Sequence, residues 1–185
     1  MAWQSSGNPT IRIAKMHPLS NFIQVLTLSL LGTLLAVHAS AAELMGTHTD
    51  WKTYRHSHRG ETLCFAVARA SEQKPSGGDR EAPHLYVTAW PKAGIKAEVS
   101  IILGYTLEKG AEVTVDVSGT TFTLVADGDR AYIGDAGEEP KLLDAMRRGK
   151  VMTVEATSDT GTRSRDVFSL LGVTASIQAI AASCG

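Results

Sequence analysis

Residues 112–127 read EVTVDVSGTTFTLVAD. Val113, Val115 and Val117 fall on one side of an extended chain, and Glu112, Thr114 and Asp116 fall on the other. A period of two describes a strand with one buried and one wet face. Ser118-Gly119 interrupts the run, and Phe122 and Leu124 then resume the alternation. The stretch predicts a β-hairpin, with Gly119 supplying the positive φ that a tight turn needs.

Similar runs recur on either side. Residues 51–55, 61–69, 84–90, 98–105, 130–133, 151–157 and 165–170 are rich in Val, Thr, Ile and aromatics, as half-buried pleated surfaces require. Two helices interrupt them. In GEEPKLLDAMRRGK, residues 137–150, Pro140 suits a first helical turn, and Glu138 and Glu139 complement its positive end. Arg147 and Arg148 complement the other end, Leu142, Leu143 and Met146 form an apolar stripe, and Gly149 is expected to stop the helix in the left-handed conformation. The second helix is TASIQAIAASCG, residues 174–185, with Thr174 as its expected N-cap. About nine short strands with one internal and one C-terminal helix predict a mainly β fold, a β-sandwich. SEQKPSGGDREAP, residues 71–83, reads as an exposed loop.

Upstream, residues 22–37 (FIQVLTLSLLGTLLAV) are uncharged and mostly apolar, preceded by Arg12 and Lys15 and followed by Ala39-Ser40-Ala41. A basic flank, a short apolar run and an A-x-A site make an export signal over 1–41, with a single domain over 42–185. The run falls short of the about 20 residues of a membrane span, so no stable span is expected after cleavage; a retained anchor helix is the alternative. Met16 offers a second start, but that start would lose both basic residues. Of the 18 Lys and Arg, the signal removes two, and of the 19 Asp and Glu it removes none, so the mature chain is mildly acidic. Nucleic acid is therefore excluded as a partner, because phosphate binding needs a concentrated positive field. Arg147, Arg148, Lys150, Arg163 and Arg165 form a local basic set, read either as a solvated face or as a partner-binding patch.

The chain holds two cysteines, Cys64 and Cys184, and export places them where disulfides persist. Ile177, Ile180, Ala181 and Cys184 recur at helical spacing, which puts Cys184 on the packing stripe of the last helix. Cys64 shares strand parity with Ala66 and Ala68, opposite Leu63, Phe65 and Val67, and alternation alone does not say which set is inside. The reading taken is a Cys64–Cys184 bridge; two free thiols are the alternative. A loop of roughly 120 residues closed this way contributes about 4–5 kcal/mol in the chain-entropy picture.

Catalytic signatures are absent: there is no G-x-S-x-G, H-E-x-x-H, G-x-G-x-x-G or P-loop pattern. His56-Ser57-His58 puts two imidazoles on one face of a strand, but zinc needs further ligands, which only His48, Asp50 or His84 could bring. DGDRAYIGDAGEE, residues 127–139, fails the calcium-loop pattern, with Ala131 at a ligand position and Tyr132 where glycine belongs. Trp51, Tyr54, Tyr86, Trp90 and Tyr105 read as core or rim packing, or as the lining of a ligand cleft. The chain is thus expected to be no enzyme and to carry no metal or cofactor.

Taken in order, several landmarks resemble the invasion-associated locus B family of exported α-proteobacterial proteins. They are Asp50-Trp51, Cys64, the stretch 97–119 with Gly104-Tyr105 and Lys109-Gly110, LLDAMRRGKVMTVEA (142–156), and DVFSLLGVTASIQAI (166–180) with Ser169, Leu170, Gly172 and Ala175. The resemblance spans nearly all of 50–185. Two departures stand out: TLVADGDRAYI (123–133) lacks the central cysteine pair of many members, and Val173 replaces the usual aromatic. The resemblance implies an immunoglobulin-like β-sandwich and a role at the periplasm, outer membrane or cell surface. Binding an envelope or host-cell protein, in some pathogens during host-cell entry, is the implied activity; a structural or stress-related envelope role is the alternative. No catalytic residue comes with it.

Overall fold

The computed structural model describes residues 41–184, apart from 59 and 76–79. Residues 1–40 of the expected export signal lie outside the described residues. The described residues form strands β1 (Glu43–His48), β2 (Trp51–His58), β3 (Glu61–Arg69), β4 (Glu72–Lys74), β5 (His84–Trp90), β6 (Ile95–Ile102), β7 (Glu112–Val117), β8 (Thr120–Asp127), β9 (Arg130–Tyr132), β10 (Val151–Thr157) and β11 (Arg163–Ser169). Helix α1 spans Glu139–Arg148, and α2 spans Val173–Cys184.

The hairpin β7–β8 forms as its pattern demands. Val113 pairs with Leu124 and Val115 with Phe122, and all four are buried. Ser118 joins Gly119 in the left-handed region, at φ 52° and 90°, so both turn positions are strained for ordinary residues. Asp116 Oδ1 accepts the Gly119 N–H at 3.2 Å, which helps hold that turn.

All ladders are antiparallel, in the order β1-β2-β3-β5-β6-β9-β8-β7-β10-β11-β4. A twisted sheet of this size cannot stay open and also bury its apolar side. It folds over a single core, a sandwich-like arrangement in which Trp51, Leu85, Ile101, Leu124, Met152 and Phe168 are fully buried. The strand that closes it was read as loop. β3 ends at Arg69, and only Ala70 and Ser71 separate it from β4, which pairs with β11 at the far end of the order. One nearly continuous stretch therefore serves both ends of the sheet, as corner strands do in sandwiches. Trp51 Nε1 donates to Ser169 O at 3.0 Å and ties β2 to the end of β11 as well.

The rest of the expected loop carries a second surprise. Arg80 makes two hydrogen bonds to Asp166 on β11, Nη1–Oδ1 at 3.0 Å and Nη2–Oδ2 at 2.5 Å, and Nε donates to Leu103 O at 2.9 Å. Its guanidinium lies 4.6 Å from the centre of the Tyr105 ring, whose hydroxyl is 2.6 Å from Ser164 Oγ. The Asp166 side chain is fully buried. Burial pushes its carboxyl above the usual range, more than the Arg80 guanidinium and the Lys74 amide draw it down. Gly104 makes room for this strap: at φ 74°, a Cβ there would stand 2.2 Å from Glu81 O. The same bend ends β6 at Ile102, short of the expected 105.

The helices follow their stripes, with differences at the ends. Glu139 Oε1 accepts the Val99 N–H at 2.5 Å, a donor that β9 does not reach because it pairs β6 only from Ser100 to Ile102. Burial, together with the Glu98 charge, lifts the Glu139 carboxyl despite that hydrogen bond. Gly149 is extended rather than left-handed, at φ −78° and ψ 164°. Its lack of a side chain serves packing instead, since a Cβ would meet Val117 at 2.8 Å and Leu170 at 3.0 Å. α2 starts one residue before Thr174, whose hydroxyl reaches back to Arg147 O at 3.5 Å instead of capping its own helix.

Removing one partner of a buried ion pair costs about 3–5 kcal/mol, because a charge is left in a dry site. Arg80→Leu is expected to lose that much in urea unfolding at pH 7.5. Without Arg80 the folded state holds the Asp166 proton more tightly than the unfolded chain does. Lowering the pH to 5.5 should therefore restore part of the loss. Arg80→Leu combined with Asp166→Leu should unfold near the wild-type midpoint.

Candidate functional site

Cys64 and Cys184 are bonded to each other, with Cα atoms 5.8 Å apart across a sequence separation of 120. The bridge settles which face of β3 is inside. Cys64, Ala66 and Ala68 are buried, and α2 packs against β2, β3 and β5 over these small side chains. Val173, Ser176, Ile177 and Ile180 are the buried residues of α2, whereas Ala181, expected on the stripe, is exposed. The Ser176 hydroxyl is buried and has no hydrogen-bond partner among the described residues.

The five basic residues do not come together. Val151 pairs with Ser169 at one end of the β10–β11 ladder, and Arg163 pairs with Thr157 at the other. At 3.3 Å per residue, the set of Arg147, Arg148 and Lys150 stands about 20 Å along the strands from Arg163. Arg147 is paired with Asp144 at 2.8 Å, and Arg165 lies 3.6 Å from Glu155. Arg163 and Arg165 line a shallow groove of about 760 Å³ with Lys74, Glu112 and Glu155, so charges of both signs alternate there. Among the described residues, no three His, Cys, Asp or Glu side chains are grouped to hold a metal ion.

The surface that stands out joins Phe65, which the sequence reading does not mark, to Tyr54 and Tyr86, which it marks as packing or cleft residues. With Cys64 inside, β3 must turn Leu63, Phe65 and Val67 outward. Phe65 stacks on Tyr54 of β2, with ring centres 5.2 Å apart and planes at 18°, and lies 5.9 Å from Tyr86 of β5. The three rings run across three neighbouring strands, each half-buried, on the side opposite α2. Burial raises the Tyr86 phenol above its usual range, and the positive charge of Arg130 opposes it. At the margins, Leu44 pairs with Tyr54 and is 54% exposed, and Tyr132 pairs with Ser100 and is 37% exposed. Of the aromatics read as core or cleft, Trp51 and Tyr105 are structural, and Tyr54 and Tyr86 belong to this strip. A signal for it existed: placing Cys64 under the last helix forces the bulky parity of β3 outward.

A family model described as Invasion associated locus B (IalB) protein matches residues 57–181. Among solved structures, the chain is similar to the crystal structure of invasion associated protein b from Bartonella henselae, with a TM-score of 0.54 at 15% identity. The alignment covers 78% of this chain and 97% of that one, and at such identity the likeness is one of fold. The curated proteins give no match. Among the described residues, no helix is long and apolar enough to cross a membrane.

The clasp is directly testable. Peptide mapping without reductant should recover one fragment joining Cys64 to Cys184. Cys64→Ala with Cys184→Ala should lower the unfolding free energy by about 2–5 kcal/mol in urea. A loss well under 1 kcal/mol would mean that α2 holds to the sheet through its apolar face alone.

Proposed function

The chain belongs to the invasion associated locus B family, and we propose that it is an exported binding module of the cell envelope that carries out no chemistry of its own. Family membership and the Cys64–Cys184 bridge support a place outside the cytoplasm, in the periplasm or at the cell surface. The observation that carries the binding reading is the aromatic strip of Tyr54, Phe65 and Tyr86 on the side away from α2. Aromatic side chains concentrated on one outward face are the usual anchors of a recognition surface. The Bartonella henselae neighbour is named for invasion, and that name supports adhesion to or entry into host cells as the finer form of the role.

The test is adhesion together with cross-linking. A strain lacking this chain should bind host-cell monolayers less well, and wild-type protein should restore binding. Leu44→Ser with Tyr132→Ser alters two exposed positions beside the strip, at little expected cost to folding, and should not restore it. In envelope extracts, the same double variant should lose at least tenfold of the cross-linked partner. Full restoration by the variant, or a deletion that weakens the envelope and leaves adhesion intact, would favour a structural role instead.

A further inference from the structure

We propose that the groove over β4, β7, β10 and β11 takes a short peptide with free ends, its ammonium beside Glu112 and its carboxylate beside Arg163 and Lys74. This face is separate from the aromatic strip, which lies on β2, β3 and β5. Across the strands, the register puts the two signs of charge in order. Thr114 of β7 pairs with Glu155 of β10, Glu155 with Arg165 of β11, and Arg165 with Lys74 of β4. Glu112 lies two residues from Thr114 and Arg163 two residues from Arg165, each on the same outward face, with Thr157 opposite Arg163. The acids that line the groove thus stand on β7 and β10, and its cations stand on β11 and β4. Glu72, the acid of β4, pairs with Val167 and lies outside the lining.

Arg165 and Glu155 answer one another at 3.6 Å, and Arg165 also donates to Thr153 Oγ1 at 3.4 Å. Glu112, Arg163 and Lys74 are exposed and have no ion-pair partner among the described residues. Lys74 stands directly opposite Arg165, and like charges so placed repel until a negative group comes between them. A carboxylate there accepts charge-assisted hydrogen bonds from Arg163 and Lys74. The spacing then selects the length of the occupant. Two strand spacings, about 10 Å, separate β7 from β11. An extended chain of about three residues spans that distance. A single amino acid or an ethanolamine phosphate group is too short to meet both ends. Between the ends lie Ala156, Thr157 and Thr162, small and uncharged, which leave room for a peptide backbone. The groove volume of about 760 Å³ falls within the about 300–1,000 Å³ of sites that take small ligands.

The probe is trialanine, titrated calorimetrically into the protein with its Cys64–Cys184 bridge intact. N-acetyl-trialanine lacks the ammonium, trialanine amide lacks the carboxylate, and alanine is too short to span the groove. Trialanine is expected to bind at least tenfold more tightly than any of the three. Glu112→Gln should weaken trialanine at least tenfold and leave N-acetyl-trialanine unchanged. Arg163→Gln should weaken trialanine to the same degree and leave the amide unchanged. Both positions are exposed, and thermal unfolding confirms that each variant is folded. Leu44→Ser with Tyr132→Ser should leave the titration as it is, because those residues border the other face. Either capped peptide or alanine binding as tightly as trialanine would overturn the proposal. Absence of saturable trialanine binding would overturn it too, and would leave the binding reading of the aromatic strip untouched.

Discussion

Most strands of this chain have one side to hide, and the ladder is too long to hide those sides while lying flat. Folding the sheet over on itself is the solution, and that solution concentrates the difficulty at one corner. There the chain must leave β3, cross, and join β11 as β4. The three side chains of β4 are polar, so the strand is held by its backbone ladder to β11 and by its Lys74 amide on the Asp166 carboxyl. The corner therefore needs support from elsewhere, and Arg80 provides it from the inside.

An ion pair is a costly way to fill a core, since both charges lose their water. Here it also does what apolar packing would not. The guanidinium fork fixes the positions of a strand through Asp166, a bend through Leu103 O, and a ring through Tyr105. Three separate segments are set in register by one planar group. Such geometry supports specificity of closure more than raw stability, because a planar fork tolerates little displacement.

What could be read from the sequence divides along physical lines. Strands that alternate, such as β7 and β8, announce themselves because burial imposes a period on side chains. β4 and Arg80 were hidden because a polar tripeptide and a single arginine look the same in a solvated loop as at a buried corner. β1 was missed for a related reason: it is an edge strand with a bulge near Met45, so its side chains keep no strict alternation. Ser118 was missed because polar residues enter the left-handed region only when the hairpin twist demands it. The aromatic strip lies between these cases. The pairing of Cys64 with the last helix was argued from spacing, yet its corollary, bulky residues facing solvent, needed the sheet to be seen.

The bridge has a further consequence for assembly in time. A chain made from its N-terminus presents Cys64 while 120 residues still separate it from its partner. During that interval the thiol has no correct mate, but it has no wrong one within the chain either, because only two cysteines exist. Disulfide shuffling between competing pairs, a common bottleneck for exported proteins, cannot arise inside one molecule. The hazard moves to neighbouring molecules, where an early Cys64 could join another copy. Contact between unfinished copies, rather than isomerisation within one, is then what competes with closure of the bridge.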